Sequence, residues 1–243
     1  MQILSFAFSL WISIIPSMNQ DIFLSHQFHL SSSEILLFER FLALFIEYNT
    51  HTNLSAIREQ DEIIEKHFID SLYGAEIILN PESWIRSISR QWSSDHPIIR
   101  LLDIGSGWGF PGIPLKIVIP ELHVTLLDSV GKKVKAMNHF VSELWLPDIV
   151  AIQERAELLG KNEEHKEKYD FVVSRATAYI TDILMWAIPF LAPGGKIILY
   201  KMPSDEEQKD RRKITKKLWL ILEWELEYML SGKERVILVF SKK

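Results

Sequence analysis

Residues 101–114 read Leu-Leu-Asp-Ile-Gly-Ser-Gly-Trp-Gly-Phe-Pro-Gly-Ile-Pro, and no other stretch constrains the fold as tightly. An apolar run containing Ile98, Ile99, Leu101 and Leu102 ends at Asp103, and Gly105, Gly107 and Gly109 follow at alternate positions. This pattern predicts a buried strand, a tight glycine loop and a helix start. Glycines allow positive φ and let a ligand approach the main chain closely. Pro111 and Pro114 suit a first helical turn, where a missing N–H costs little.

The run contains a dinucleotide fingerprint, Gly107-x-Gly109-x-x-Gly112, with Asp128 placed 21 residues after Gly107. Such a glycine pattern alone is weak evidence for a nicotinamide cofactor. The acid at Asp103 and the earlier glycine at Gly105 point elsewhere. Asp-x-Gly-x-Gly-x-Gly resembles motif I of the class I S-adenosylmethionine-dependent methyltransferases. That resemblance implies that Asp103 supports the methionine end of the cofactor. Asp128 closes a second strand, Val124–Asp128. A carboxylate there can accept two hydrogen bonds from a ribose diol.

At 243 residues and 47% hydrophobic, the chain can bury one large domain with an extension. It has no cysteine, which excludes disulfides, cysteine-ligated metals and a cysteine nucleophile. Residues 1–16 are strongly apolar, and the first positive side chain is Arg40. A signal peptide needs a basic start, and a membrane span needs ~20 apolar residues. We therefore expect translation from Met18, with an extra N-terminal helix or a weak export or membrane signal as alternatives. The expected division is 1–17 as an extra segment, 18–97 as a helical extension and loop, and 98–243 as the catalytic domain.

Ser31-x-x-Glu34 is a capping box that opens an amphipathic helix carrying Leu37, Phe38, Phe41, Leu42, Leu44 and Phe45. A second helix is expected over about 59–79, and a loop over 81–97. Strands are expected at 98–104, 123–128, 149–153, 169–174 and 196–201, with helices at 111–118, 131–145 and 179–190 between them. Alternation of this kind argues for a parallel sheet covered on both faces. Pro193-Gly194-Gly195 signals a turn before the fifth strand. Strands around 222–229 and 234–240 would close the sheet as a hairpin. The expected fold is α/β, a Rossmann-like, doubly wound, mostly parallel seven-stranded sheet of the class I methyltransferases.

Further segments carry a closer resemblance. They are Asn53-Leu54-Ser55-Ala56-Ile57-Arg58, His67-Phe68-Ile69-Asp70-Ser71-Leu72, the Gly-Phe-Pro-Gly-Ile-Pro end of motif I, Leu126–Val134, Arg155-Ala156-Glu157 and Val173-Ser174-Arg175-Ala176. With these segments, residues 34–243 resemble the RsmG family, which methylates guanine N7 in 16S ribosomal RNA. The resemblance implies S-adenosylmethionine held by Asp103, Gly105, Gly107, Phe110, Asp128, Ala156, Glu157 and Arg175. It implies an RNA-facing or methyl-donor-facing surface at Asn53, Arg58, His67, Ser71, Lys132 and Lys133. It also implies 16S RNA, free or within the 30S subunit, as partner, and a cytoplasmic monomer with no metal and no membrane contact.

The chemistry fits such a residue set. Guanine N7 carries a free lone pair, so no base has to remove a proton, and alignment of donor and acceptor is the main requirement. We therefore assign no catalytic acid or base. Amino-group methylation usually comes with an Asn/Asp-Pro-Pro-Tyr motif after the fourth strand, where this chain has Ser174-Arg175-Ala176. Net charge is −5, yet residues 201–243 carry 11 Lys/Arg against 8 Asp/Glu. The run Lys209, Arg211, Arg212, Lys213, Lys216 and Lys217 is either a solvated helix face or an RNA contact. By i, i+4 spacing His67 and Ser71 share a helix face, as do Lys66 and Asp70, which would make a surface salt bridge. Open alternatives are a class I methyltransferase acting on another RNA, a small molecule or a protein; a dehydrogenase; and a cofactor-binding protein without activity.

Overall fold

A computed structural model describes residues 18–52, 56–79, 98–175 and 178–243. The expected start segment 1–17, the 81–97 loop, Asn53 and Ala176 lie outside the described residues. Ser31 and Glu34 form the expected capping box. The Glu34 carboxylate accepts from the Ser31 backbone N–H at 2.6 Å, and the Ser31 hydroxyl accepts from the Glu34 N–H at 3.3 Å. The box starts α2 (Ser32–Thr52), which follows the short α1 (Asp21–Ser25). The second helix is not uniform. It runs as α3 (Gln60–Ile63), a π-helical turn (Ile64–Ile69) and α4 (Asp70–Leu79).

Strands β1 (Ile99–Ile104), β2 (Leu122–Asp128), β3 (Ile149–Gln153), β4 (Tyr169–Arg175) and β5 (Leu191–Lys201) are parallel. Helices α5 (Gly112–Val118), α6 (Gly131–Glu143), α7 (Ala156–Leu159) and α8 (Ile180–Ala187) lie between them. The expected 179–190 helix tightens to a 3₁₀ turn at Ile188–Phe190, because Pro189 has no N–H to continue the α-helical ladder. Pro193-Gly194-Gly195 does not precede the fifth strand. It sits within β5, where the β4–β5 register shifts. After α9 (Asp205–Lys217), β6 (Leu220–Leu230) and β7 (Lys233–Lys242) form the closing hairpin, and β7 runs antiparallel to β5.

The strand order is β3-β2-β1-β4-β5-β7-β6. Both faces are covered. One core packs α2, the π-turn, α4, α5 and α6 on the sheet, with Phe38, Phe41, Phe45, Phe68 and Phe140 fully buried. The other packs α7, α8 and α9 around Ile183, Leu184, Phe190, Ile197 and Phe240. The order reverses between β1 and β4, and a crevice opens at the carboxyl ends of the strands beside such a switch point. Among the described residues, no helix is long and apolar enough to cross a membrane.

Candidate active site

The glycine loop is built as its sequence demands. Gly105, Gly107 and Gly109 have φ of 69°, 62° and 94°, values that a side chain disfavours. The loop is tied to β2: the Gly105 and Ser106 N–H groups donate to the Leu127 carbonyl at 2.8 and 3.0 Å. The Gly107 N–H donates to Asp128 Oδ2 at 3.0 Å. A Cβ at Gly112 would collide with Leu126 and Asp103, so α5 approaches β1 closely only with glycine there.

Asp103 is fully buried at the end of β1. Its Oδ2 accepts from the Ser106 hydroxyl at 2.6 Å and the Gly112 N–H at 2.9 Å, whereas Oδ1 is buried without a partner. Burial pushes its carboxyl up to about 7, against the opposing effect of those two hydrogen bonds and the Arg175 cation. An orphaned carboxylate oxygen beside a ligand-approach loop fits the amino group of a methionine moiety.

Two hollows open on this loop and share Gly105 and Lys133. The first, about 400 Å³, is lined by Asp128, Val130, Arg155, Ala156, Glu157 and Trp186, among others. The second, about 640 Å³, is lined by His67, Asp70, Trp108, Phe110, Arg175 and Tyr228, among others. Asp128 lines the first, and two of its partners, Gly107 and Lys133, line the second. Its Oδ1 accepts from the Val130 N–H at 2.9 Å, and Oδ2 accepts from Gly107 and, at 3.3 Å, from Lys133 Nζ. A carboxylate offers about four lone-pair positions, so a ribose diol needs Lys133 to release Oδ2. Lys133, expected on the RNA face, is therefore also part of the junction between the hollows, with its ammonium 6.0 Å from the Trp108 ring.

Arg175 leaves the end of β4 and clasps the N-terminal extension. It donates to the Lys66 carbonyl and Asp70 Oδ2, both at 2.9 Å, and to His67 Nδ1 at 3.2 Å, and it lies 5.2 Å from the Phe110 ring. π-Turns break the regular backbone ladder and recur at functional sites. Here the Lys66 carbonyl that Arg175 takes lies in one. Tyr228 from β6 completes the clasp by donating to Asp70 Oδ1 at 2.6 Å. Burial and the Asp70 charge hold the Tyr228 hydroxyl in its protonated form. Removing one partner of a buried, hydrogen-bonded ion pair of this kind costs about 3–5 kcal/mol.

His67 stacks on Phe110 at 4.8 Å. Burial, with the Arg175 and Lys66 cations, pushes its imidazole down to about 3, so the ring is neutral. A guanidinium can only donate, so Nδ1 is the acceptor and Nε2 carries the proton. That Nε2–H is buried without a partner.

Several expected residues fall elsewhere. Ser71 does not face the cleft: it is fully buried, and its hydroxyl donates back to the His67 carbonyl at 2.6 Å. Lys66 and Asp70 form no salt bridge with each other. Lys66 pairs with Glu62 at 2.6 Å, while Asp70 is taken by Arg175. Arg58 and Lys132 are exposed and line neither hollow. Phe110 borders the larger hollow, but its ring belongs to the aromatic core with Phe41, Phe45 and Phe68. In the basic run, Arg211 is buried in a two-pronged pair with Glu225, both contacts at 3.2 Å. Asp70 lines the larger hollow within the His67–Ser71 segment expected over the cleft, whereas sequence reasoning missed Trp108, Trp186 and Tyr228 as lining residues. The indole between Gly107 and Gly109 was the one legible signal, since a loop flanked by glycines cannot bury it in a helix face.

Comparison with known proteins agrees with this geometry. Residues 34–223 match the family described as rRNA small subunit methyltransferase G. Ribosomal RNA small subunit methyltransferase G of Desulforamulus reducens is 40% identical over 188 residues, covering 77% of this chain and 72% of its own. The protein of the same name from Carboxydothermus hydrogenoformans is 38% identical over 216 residues, covering 88% and 85%. Among solved structures, ribosomal protein L11 methylase from Lactobacillus delbrueckii subsp. bulgaricus superposes with a TM-score of 0.52. At 14% identity, with 73% of this chain and 79% of that one covered, it shares the fold.

Proposed function

The chain belongs to the rRNA small subunit methyltransferase G family, and on that premise we propose that it moves a methyl group from S-adenosylmethionine to guanine N7 of 16S ribosomal RNA. The observation that carries this reading is the pair of hollows meeting at Gly105, with the orphaned Asp103 oxygen beneath the loop. The smaller hollow suits a nucleoside, with Asp128 for the ribose and Ala156, Glu157 and Trp186 around the adenine. The larger suits an extruded nucleotide, since enzymes that act on a base take it out of its stack.

The cofactor supplies, when bound, an electrophilic methyl group on a positive sulfonium. The chain's own residues have three tasks. Asp103 and the Gly105–Gly109 loop hold the methionine end. The Arg175–Asp70–Tyr228 clasp fixes the wall formed by the extension, so that the acceptor is presented at a set distance. The aromatic floor of Phe110 and His67 excludes water. With the cofactor bound, the guanine N7 lone pair would accept the methyl group without any base to remove a proton, so these residues would only have to hold donor and acceptor in line. No proton moves, which suits a site whose imidazole is neutral and engaged with Arg175. The site asks for alignment, worth up to ~10⁵–10⁸ M in effective concentration for a well-oriented pair.

We place the activity in the cytoplasm, carried out by a monomer on free 16S RNA or on 30S particles, with residues 18–97 as an extension to the catalytic domain at 98–243. Transfer of a labelled methyl group to 16S RNA, free and in 30S particles, tests the reading. Label should enter RNA in at least one form. Incorporation into neither would end it.

A further inference from the structure

Four of the cations lining the larger hollow are already engaged, whereas Arg235, which also lines it, has its Nε buried without a partner. Lys66 pairs with Glu62, Lys133 with Asp128, Lys201 with Glu207 and Arg175 with Asp70, at 2.6–3.3 Å. A polyanion gains little from charges that are already neutralised, so cations elsewhere on the surface would add to what Arg235 offers at the hollow.

The opposite end of the sheet offers such cations. The first turn of α9 is acidic (Asp205, Glu206, Glu207) and its last turn is basic (Lys216, Lys217). Lys201, at the end of β5, borders the larger hollow, whereas the register Lys196↔Ser241 puts the far end of β7 five residues back along β5. Leu220 pairs with Lys242, and the Lys243 N–H donates to the Trp219 carbonyl at 2.8 Å. Lys242 and Lys243 therefore flank the same corner as Lys216 and Lys217, about 20 Å along the strands from Lys201. The two ion pairs near it, Lys242–Glu167 and Lys213–Asp210, are long at 3.9 and 3.5 Å.

At the centre of this corner is Trp219, 72% exposed and held at φ 56°. A bulky residue rarely adopts that conformation, and so exposed an indole gains little burial in return. The helix dipole explains lysines in the last turn of α9, but neither the tryptophan nor the lysines of β7. An exposed π-face with lysines on the neighbouring backbone is the combination by which single strands are held: bases stack on the ring, and the backbone follows the charges.

We propose that Trp219, with Lys216, Lys217, Lys242 and Lys243, forms a second contact surface that binds single-stranded segments of the small-subunit RNA. This rests on the reading that the chain acts on that RNA. A matched control exists within the molecule. Trp145 follows α6 as Trp219 follows α9, is 70% exposed and has φ 54°, but its nearest charged neighbours in sequence are Glu143 and Asp148.

The test uses the full chain, with equilibrium binding of 16S RNA measured over a salt series. Trp219→Ala should weaken binding between about 5-fold and about 150-fold, the range for one lost base stack. Replacing Lys216, Lys217, Lys242 and Lys243 together by Gln should reduce the log–log salt slope by about 3. Trp145→Ala should bind as the parent does. Methyl transfer at saturating RNA and the melting shift produced by S-adenosylmethionine should stay at parental values in all variants. Parental affinity and slope in both the Trp219 and lysine variants would overturn the proposal. So would parental RNA binding with altered sedimentation, which would assign the corner to contact between copies. A parent chain that neither binds nor methylates 16S RNA would instead bring down the RNA reading itself.

Discussion

Asp103→Asn should make the unliganded protein more stable and the cofactor site worse. The carboxyl is completely buried, and its folded-state value of about 7 stands well above the ordinary 3.8. Between those values the folded state holds a proton that the unfolded chain has lost. Stability from this group is therefore fully present below pH 3.8, falls as pH rises and levels off above pH 7. A gap of roughly three units corresponds to a ceiling of about 4 kcal/mol at pH 8. Asparagine keeps an acceptor for Ser106 and Gly112 and carries no charge, so it should recover part of that amount, with an unpaired amide N–H as the offsetting cost. Urea unfolding from pH 5.5 to 8.5 measures the first half: the variant should gain on the parent as pH rises. Calorimetric titration with S-adenosylmethionine at pH 8 measures the second: affinity should fall at least tenfold, as the proposed role of Asp103 as the negative partner of the methionine amino group requires. A variant less stable than the parent at pH 8, or one with parental cofactor affinity, would refute the reasoning.

His67 should act with the opposite sign. Its folded value near 3 lies below the ordinary 6.5, so its contribution is complete above pH 6.5 and lost as pH falls toward 3, at up to about 1.4 kcal/mol per pH unit. His67→Phe keeps the stack on Phe110 and should remove this acid limb from a pH series of urea midpoints; an unchanged limb would place the titration elsewhere. Gly105→Val meets a φ of 69° and should destabilise by about 1–3 kcal/mol. It should remain folded by circular dichroism and lose the melting shift produced by S-adenosylmethionine, and a parental shift would mean that the loop does not meet the ligand.

The parts of the fold legible in sequence were those that local chemistry decides. The capping box, the glycine loop and the alternation of apolar runs with amphipathic helices each declare themselves within a few residues, and β1 to β4 fall within a residue or so of expectation. The misses have physical reasons. Pro193-Gly194-Gly195 reads as a turn, yet a strand absorbs it as a bulge once β4 lies alongside. Spacing by four assumes an α-helix, and the π-turn at Ile64–Ile69 breaks that assumption between Lys66 and Asp70. The Arg175–Asp70–Tyr228 clasp joins residues more than 100 positions apart, so nothing in local pattern can reveal it. Arg211 reads as part of a solvated basic run until Glu225 on β6 is placed beneath it.

The most direct test of the whole account is the identity of the modified nucleoside. Parent protein, S-adenosylmethionine and 16S RNA, free or in 30S particles, should be incubated together and the RNA digested to nucleosides for mass spectrometry. The account predicts 7-methylguanosine as the new species, absent when the target guanine is replaced by 7-deazaguanine. A methyl group on an exocyclic amine, on a ribose or on protein would contradict it.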